Sequence, residues 1–414
     1  MDRSLRPALR LVATLCGLAL LVAACAGEDP GAVPRPPEAT LGAAATGDAT
    51  AQQRRDRRIE LIRRSSAVAC SSSHRFNSIR TGAEPLCAPF DSVPAVDDPV
   101  FVAPGEGEKL QGDEPVVAVS VAGDARAYPV RYLIFHEVVN DEVGGVPIVV
   151  TFCPLCNSAV AHERVLDGQT LTFGVSGRLA YANLVMFDRE TASFWHQLTG
   201  RASSGVFEGR RLMSVPVQVV SYRDWLEAHP DGAVLQPPDS TAYPYGTDPY
   251  GGYDVDPTEQ SPVLQHSAGP VKDTRLPPKW RVVGAVLGNT PVAFPMPEGH
   301  DGPVVREHIV DGAPLVAFFE HGTIEAETNH DLSSARRGWS GSVWRAQVDG
   351  RQLSFDARGA DIYETTTGST FNILGVATSG ELQGFQLEGV QQLTSFWFSW
   401  THFFPDTLVL GNAQ

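Results

Sequence analysis

Two cysteines with CxxC spacing, Cys153 and Cys156, form the motif with the clearest chemical potential, in the stretch VTFCPLCNSAVAH. Thiols at this spacing can cycle between dithiol and disulfide, supply half of a metal site, or form a permanent cross-link. Pro154 fixes its own φ and removes a backbone donor, which favours a tight turn with both sulfurs on one side. The leading hypothesis is thiol–disulfide exchange, in which Cys153 attacks and Cys156 resolves.

The surroundings of the motif suggest how such a reaction could run. VPIVVTF and SAVAHERV are strand-like runs on either side, so the motif is predicted to lie at the exposed tip of a β-hairpin. His136 and Glu137 follow the apolar helical stretch PVRYLIF and could orient a thiol or transfer its proton. This chemistry requires no cofactor. Its partner would be a thiol-bearing protein or small molecule.

Two other classes of function remain open. A Cys/His metal site would need further ligands beside the two cysteines, and His136, His162 or His196 could complete a mixed site for zinc or copper. Thiolates are soft ligands and would favour Cu(I). The third possibility is a non-catalytic scaffold, in which the CxxC is a structural disulfide and the protein binds a partner or a glycan.

The amino terminus indicates export. Residues 1–24 place three arginines before a short apolar run, as in a signal peptide. The run ends in LVAAC, which resembles a bacterial lipobox. The resemblance implies that Cys25 carries a lipid and anchors an extracytoplasmic protein to the bacterial cell membrane. Residues 25–58 contain few large apolar side chains and are predicted to be a disordered tether.

Charge and the remaining cysteines agree with an oxidising compartment. Cys70 and Cys87 are predicted to form a structural disulfide within residues 59–95, a region that also includes a short helix. The formal net charge of −16 gives an acidic surface that repels phosphates, so nucleic acid is set aside as a partner.

The body of the chain is predicted to be an α+β fold, predominantly β, built from two repeats. GRASSGVFEGRRL at 200–212 resembles GVATSGELQGFQL at 375–387, and DWLEAHPDGAVL resembles SWTHFFPDTLVL at the same offset. Short Val- and Thr-rich runs between Gly and Asp-Gly turns predict strands, with a few short helices. The predicted divisions are repeat 1 with the CxxC at 96–238, a connecting loop rich in Tyr, Pro, Gly and Asp at 239–279, and repeat 2 without the CxxC at 280–414.

The repeats also allow more local predictions. Aligning Phe152 with Phe319 and continuing without a gap places Glu320 and Thr323 at the two cysteine positions. The second repeat can therefore fold without thiols, which weakens a purely structural role for them. Ser221 is expected to cap one helix, and Thr394 or Ser395 the corresponding helix in the second repeat.

The stretch from YPVRYLIFHEVVND through FCPLC and NLVMFDRET to DWLEAHPD resembles the family catalogued as domain of unknown function 3179, over nearly all of residues 95–410. The family brings no established activity. Some members place selenocysteine in the CPxC motif, so the resemblance implies a redox role. At Asn157 this sequence departs from the usual Gly. The family-like stretch YANLVMFDRETASFWHQ adds possible site-lining residues, namely Asn183, Asp188, Trp195 and Gln197.

Overall fold

The computed structural model describes residues 90–239, 242–258, 271–299 and 302–411, and the backbone of one short strand pair before them. The predicted signal peptide, the lipidation site Cys25, the tether and the Cys70–Cys87 disulfide lie outside the described residues. Within the described part of the chain, no helix is both long and apolar enough to cross a membrane.

The fold is α+β and predominantly β, as the strand-like runs predicted. The described ranges contain three short α-helices: α1 Val130–His136, α2 Tyr222–Ala228 and α3 Trp397–Phe403. The strands up to residue 239 are β1 Arg75–Phe76, β2 Glu84–Pro85, β3 Phe101–Val102, β4 Pro115–Val121, β5 Asp124–Pro129, β6 Val138–Val143, β7 Val146–Cys153, β8 Ser158–Glu163, β9 Val165–Leu166, β10 Gln169–Thr170, β11 Phe173–Ala180, β12 Asn183–Asp188, β13 Phe194–His196, β14 Ala202–Ser204, β15 Ser214–Val215, β16 Gln218–Ser221 and β17 Ala233–Leu235.

The later strands follow the same order of long hairpins, short hairpin and meander. They are β18 Arg281–Leu287, β19 Thr290–Pro295, β20 Val304–Val310, β21 Ala313–Ile324, β22 Arg337–Arg345, β23 Gln347–Val348, β24 Arg351–Gln352, β25 Phe355–Arg358, β26 Asp361–Glu364, β27 Thr370–Phe371, β28 Ala377–Ser379, β29 Gln391–Phe396 and β30 Leu408–Val409.

The two halves have corresponding strand pairings. In the first half β4 pairs with β5, with β16 beside β4 and β17 parallel to β5; in the second half β18 pairs with β19, with β29 beside β18 and β30 parallel to β19. The meander β11–β14 corresponds to β25–β28 in the same way. Their origin by duplication stays a prediction. One eight-stranded sheet joins the halves, because β22 pairs with β16.

Strand register corrects the gap-free alignment of the CxxC. In the first half Cys153 pairs with Ser158, and residues 154–157 join the two strands. In the second half the corresponding pair is Glu320 and Ser340, so residues 321–339, which are the paired ends of β21 and β22 and the segment 325–336 between them, occupy the place of the turn. Glu320 therefore does correspond to Cys153. The prediction that Thr323 occupies the position of Cys156 is wrong, because the second half has a long excursion there.

The helix caps differ between the halves. Ser221 caps α2 as expected, because its side chain accepts a hydrogen bond from the Asp224 backbone N–H. The N-cap of α3 is Phe396, which has no side-chain cap bond, so the prediction of Thr394 or Ser395 is wrong. Instead the helix is held by burial, since Trp397 and Trp400 are both fully enclosed.

Gly284 provides a test of how tightly α3 packs on its sheet. A Cβ at this position would lie 2.3 Å from ring atoms of Trp400, which is enclosed on all sides. We expect Gly284→Ala to lower the free energy of unfolding by about 1–3 kcal/mol, because the core must shift to admit the methyl group. Urea unfolding measures the change. In the control Gly112→Ala the new methyl group meets only an ordinary 3.5 Å contact, and an equal loss in both variants would contradict the packing argument.

Candidate functional site

The CPLC motif forms a tight turn between two paired strands. β7 ends at Cys153, a single 3₁₀ turn spans Pro154–Cys156, and β8 begins at Ser158. Asn157 closes the turn with a left-handed backbone (φ 47°) and donates its N–H to the Pro154 carbonyl at 3.2 Å. Asn is among the few residues enriched at positive φ, so it can replace the Gly usual in this family-like motif.

The two thiols are buried, so the prediction of an exposed hairpin tip is wrong. Cys153 is 2 % exposed and Cys156 is fully enclosed. Both belong to a hydrophobic cluster that includes Trp195 of the first half and Phe396 of the second. The hairpin is present as expected. Segments distant in sequence pack over its tip and remove it from solvent.

One backbone carbonyl holds both sulfurs. The Cys156 thiol donates to the Ala182 carbonyl oxygen at 3.0 Å, and the Cys153 Sγ lies 3.8 Å from the same oxygen. Both cysteines are free thiols, and Cys153 also lies within hydrogen-bonding reach of Cys156. The arrangement therefore brings together the two atoms that a disulfide would join.

The electrostatics at Cys153 oppose its thiolate. Burial raises the pKa of the Cys153 thiol well above its ordinary value, and the Cys156 thiol and the Glu137 carboxylate raise it further. A hydrogen bond from the Leu184 backbone acts in the opposite direction and lowers the pKa. Because only the thiolate attacks a disulfide, Cys153 is unreactive while the site stays closed.

Glu137 lies close enough to Cys153 for their charges to interact, as the sequence suggested. It follows α1 in a left-handed conformation (φ 57°), and its carbonyl accepts the Phe152 N–H at 2.9 Å. This bond ties Glu137 to β7 next to Cys153. Burial raises the pKa of the Glu137 carboxyl to about 8, so the carboxyl can both hold and release a proton near neutral pH.

His136 does not serve the thiols, which corrects its predicted role. Its Nδ1 lies 2.8 Å from the Pro94 carbonyl oxygen, which fixes the proton on that nitrogen. Its Nε2 then accepts the Tyr245 hydroxyl at 2.6 Å. Both ring nitrogens are thereby engaged, and burial lowers the pKa of the imidazole. The side chain links α1 to the Tyr-rich stretch between the halves.

Asn183 and Gln197 form a buried polar network at the base of the turn. The Gln197 Oε1 accepts from the Ser158 hydroxyl at 2.8 Å and from the Asn183 amide at 2.6 Å. The Gln197 amide donates to the Ser158 carbonyl at 2.9 Å and to the Thr151 hydroxyl at 3.1 Å. Asn183 directly follows Ala182. The network therefore fixes the carbonyl that holds the sulfurs relative to the start of β8.

Asp188 and Trp195 stabilise a turn of the meander β11–β14. The Trp195 indole N–H donates to Asp188 Oδ2 at 2.9 Å, and Asp188 also accepts the Thr191 N–H and hydroxyl. Glu364 makes the same two bonds to Thr367 in the second half, which lacks the thiols. This turn is therefore part of the fold. Trp195 contributes to the site only through the hydrophobic cluster that it shares with the cysteines.

Two further segments cover the turn and were not assigned to the site from the sequence. The Tyr253 hydroxyl donates to the Leu155 carbonyl at 3.1 Å, and Tyr250 lies near enough to Cys153 and Glu137 for their charges to raise its pKa beyond the effect of burial. We call residues 242–258 the tyrosine segment. From the excursion of the second half, Glu327 accepts the Asn157 amide at 2.6 Å. The tyrosines of the connecting loop were the one available signal for this cover.

The histidines of the metal hypothesis lie apart from the thiols. His162 pairs with Val149, four residues along the hairpin from Cys153, which is ~14 Å at about 3.4 Å per residue. Its Nε2 bonds the Gln197 carbonyl at 2.8 Å. His196 lies on β13 beside Phe403 of α3. Across the described ranges, no three His, Cys, Asp or Glu side chains are grouped to hold a metal ion.

Comparison with known proteins identifies a family without an assigned activity. The model of the family described as "Protein of unknown function (DUF3179)" matches residues 90–407, which include the hairpin, the tyrosine segment and both halves. No curated protein and no solved structure matches the chain.

The raised pKa of Glu137 predicts a pH dependence of stability. Its folded pKa of about 8 exceeds the ordinary 4.5, so the folded protein keeps a proton that the unfolded chain releases. Stability should therefore fall as pH rises from about 4.5 to about 8, by about 1–3 kcal/mol because the side chain keeps some contact with water. Glu137→Gln should remove this part of the slope in chemical unfolding across that range. Glu142→Gln, a change at an exposed carboxyl of β6, should leave the slope as in the parent; parallel curves for all three proteins would refute the assignment.

Proposed function

This chain belongs to the DUF3179 family of proteins of unknown function, and we propose that it carries out reversible thiol–disulfide chemistry at Cys153 and Cys156 behind a movable cover. One observation carries the proposal: two free thiols lie side by side against a single carbonyl, next to a carboxyl whose pKa is raised to about 8. The second half builds the corresponding hairpin with Glu320 in place of Cys153, so the fold itself does not require the thiols.

The charge environment favours the two end states of this reaction. A dithiol and a disulfide are both neutral, whereas a thiolate would be an anion buried beside Glu137 and Tyr250. Burying an unpaired charge is costly, so the closed site disfavours the intermediate and tolerates both the reduced and the oxidised form. A thiol–disulfide couple that transfers two electrons rests in one of these two neutral forms.

The reaction balances with a disulfide-bearing partner as oxidant. The ionised form of Glu137, a minor form at neutral pH because its pKa is about 8, takes the Cys153 proton, and the thiolate attacks the partner disulfide; one partner sulfur leaves and takes that proton. Cys156 then attacks the Cys153 sulfur of the mixed disulfide and releases the second partner sulfur, which takes the Cys156 proton. The protein gains a Cys153–Cys156 disulfide, and the partner receives two electrons as two thiols. The reverse sequence reduces the protein.

Access requires displacement of the cover. Cys153 is too enclosed for a partner sulfur to reach it, and the tyrosine segment lies over the turn through the Tyr253–Leu155 hydrogen bond. Opening would hydrate Cys153 and lower its pKa towards the ordinary thiol value, so reactivity and access would rise together. In an oxidising compartment a closed cover would protect the dithiol from unselective oxidation.

The location at the membrane and the metal-binding alternative, both predicted from the sequence, are also part of this proposal. A lipid at Cys25 would hold the protein at the outer face of the bacterial membrane, where a disulfide-bearing partner is available. Zinc or copper binding is the second candidate, supported by the two adjacent sulfurs. Among the described residues no third His, Cys, Asp or Glu side chain is grouped with the two sulfurs to complete a metal site, which makes metal binding the weaker of the two.

The redox proposal predicts a reversible loss of two hydrogens confined to this thiol pair. Treatment of the full-length protein with oxidised glutathione should join Cys153 to Cys156, and dithiothreitol should restore both thiols; mass spectrometry of the CPLC peptide measures each state. We expect a midpoint potential above about −300 mV, the range of exchangeable disulfides. Cys153→Ser should abolish the change while the fold persists, and Cys70→Ser/Cys87→Ser should preserve it. A lower potential, or stoichiometric metal retained through Cys153, would overturn the proposal.

The cover predicts which tyrosine controls thiol reactivity. Tyr253→Phe removes the hydroxyl that bonds the Leu155 carbonyl, and loss of one such bond should speed the reaction of the native thiols with a chromogenic disulfide roughly 2- to 10-fold. Tyr243→Phe is the matched control, since its ring contacts His136 instead of the CPLC turn. If the two variants react at the same rate as the parent, the tyrosine segment does not gate the site.

A further inference from the structure

A second cavity lies where the second half replaces the CPLC turn. Residues 321–339, the excursion that corresponds to the turn, form one side of a cavity of about 340 Å³, and the start of β18 and the segment after β19 form the other. Neither cysteine contributes to its lining. Corresponding positions of the two halves therefore carry two different sites. We call this one the tryptophan pocket.

Two indole rings line the tryptophan pocket. Trp280 and Trp339 are each half-buried, so part of each ring is left to the cavity. The Trp280 N–H donates to the Met296 carbonyl at 3.3 Å, which fixes the ring. The His321 ring lies edge-on to Trp339 with a centroid separation of 5.2 Å. Rigid aromatic walls of this kind bind the apolar face of a ligand.

Two arginines that line the tryptophan pocket are paired with carboxylates that also line it. Arg281 binds Asp254 at 2.8 Å. Arg336 binds Glu325, although half of the Arg336 side chain remains exposed at the cavity.

A third guanidinium at the rim, that of Arg337, binds Asp113 at 2.7 Å. Because acidic and basic groups alternate and neutralise each other, the cavity does not select strongly for an ion of either sign. The cavity does offer hydrogen-bond donors and acceptors in fixed positions, carried by planar guanidinium and carboxylate groups.

We propose that the tryptophan pocket binds a neutral, hydroxyl-rich ligand, a sugar ring of a glycan. A pyranose has an apolar C–H face, which would pack on Trp339 or Trp280. Its rim of hydroxyl groups can accept from guanidinium N–H groups and donate to carboxylate oxygens without a net charge. The volume lies at the small end of the range for small-ligand pockets. The thiols do not line this site, although Asp254 and Pro257 of the tyrosine segment do.

Calorimetric titration of the reduced protein with maltose, cellobiose and N,N′-diacetylchitobiose tests the proposal. We expect saturable binding of at least one of these disaccharides, with an affinity that changes little between low and high salt because the ligand is neutral. Citrate serves as an anionic probe of similar size. Absence of saturable binding by all three sugars would overturn the proposal, and so would salt-sensitive binding of citrate alone.

Substitutions inside and outside the tryptophan pocket test where the sugar binds. Trp339→Ala should weaken the sugar affinity ~10-fold or more through loss of the ring face, and Trp339→Phe should recover most of it. Tyr363→Ala removes a partly exposed ring outside the pocket and should leave the affinity unchanged. The double variant Cys153→Ser/Cys156→Ser should also bind as the parent does. Equal affinity of Trp339→Ala and the parent would place any sugar binding elsewhere and refute the assignment.

Discussion

Removal of the Cys153 thiol from water determines the chemistry open to this site. Desolvation is the largest influence on its pKa, and every charged neighbour that adds to it is acidic. Such an environment disfavours any lasting thiolate and leaves the neutral dithiol and the neutral disulfide as the accessible states. Glu137 then matters because its ionised form can take the thiol proton, which moves the buried negative charge from the carboxylate to the sulfur and adds no second charge. A basic neighbour would instead have lowered the pKa of the thiol.

Both halves use one scaffold and differ in the connection between two strands. The strand pairings on either side of the CPLC turn recur in the second half. One turn of each meander recurs as well, because in both halves a carboxylate accepts a hydrogen bond from the hydroxyl of a threonine three residues later. What differs is the part beyond the corresponding strand pair, four turn residues at 154–157 against residues 321–339, in which both strands continue before the segment 325–336 joins them. A rigid sheet can hold strand ends in place while the segment between them varies, which is how functional loops diversify on a constant fold. The dithiol of the first half and the tryptophan pocket of the second half lie at corresponding positions of the two halves.

The excursion of the second half also completes the first site. Glu327 reaches across to Asn157, the residue that closes the CPLC turn, and Phe396 packs in the same cluster as the sulfurs. Arg281 bonds both the Ala326 carbonyl beside Glu327 and Asp254, which directly follows Tyr253. The cover of the thiols is thus anchored in the second half. A single half would lack the Glu327 and Phe396 contacts at the CPLC turn.

Local features were predictable from the sequence because they depend on chain neighbours. Alternating apolar residues and Asp-Gly turns specified the β-rich α+β class, the hairpin around Cys153 and Cys156, and the Ser221 cap. Glu137 was found because it follows α1 directly.

Solvent exposure and the second-half register depended on residues far apart in the chain. Four separate segments, which supply Ala182, Tyr250 with Tyr253, Glu327 and Phe396, pack together and bury the thiols. The same packing brings Tyr245 to His136, whereas the register of the hairpin itself places His162 away from the cysteines. An excursion such as 321–339 leaves no mark in a gap-free alignment, because hydrogen bonding between strands, and not position in the chain, fixes which residues correspond.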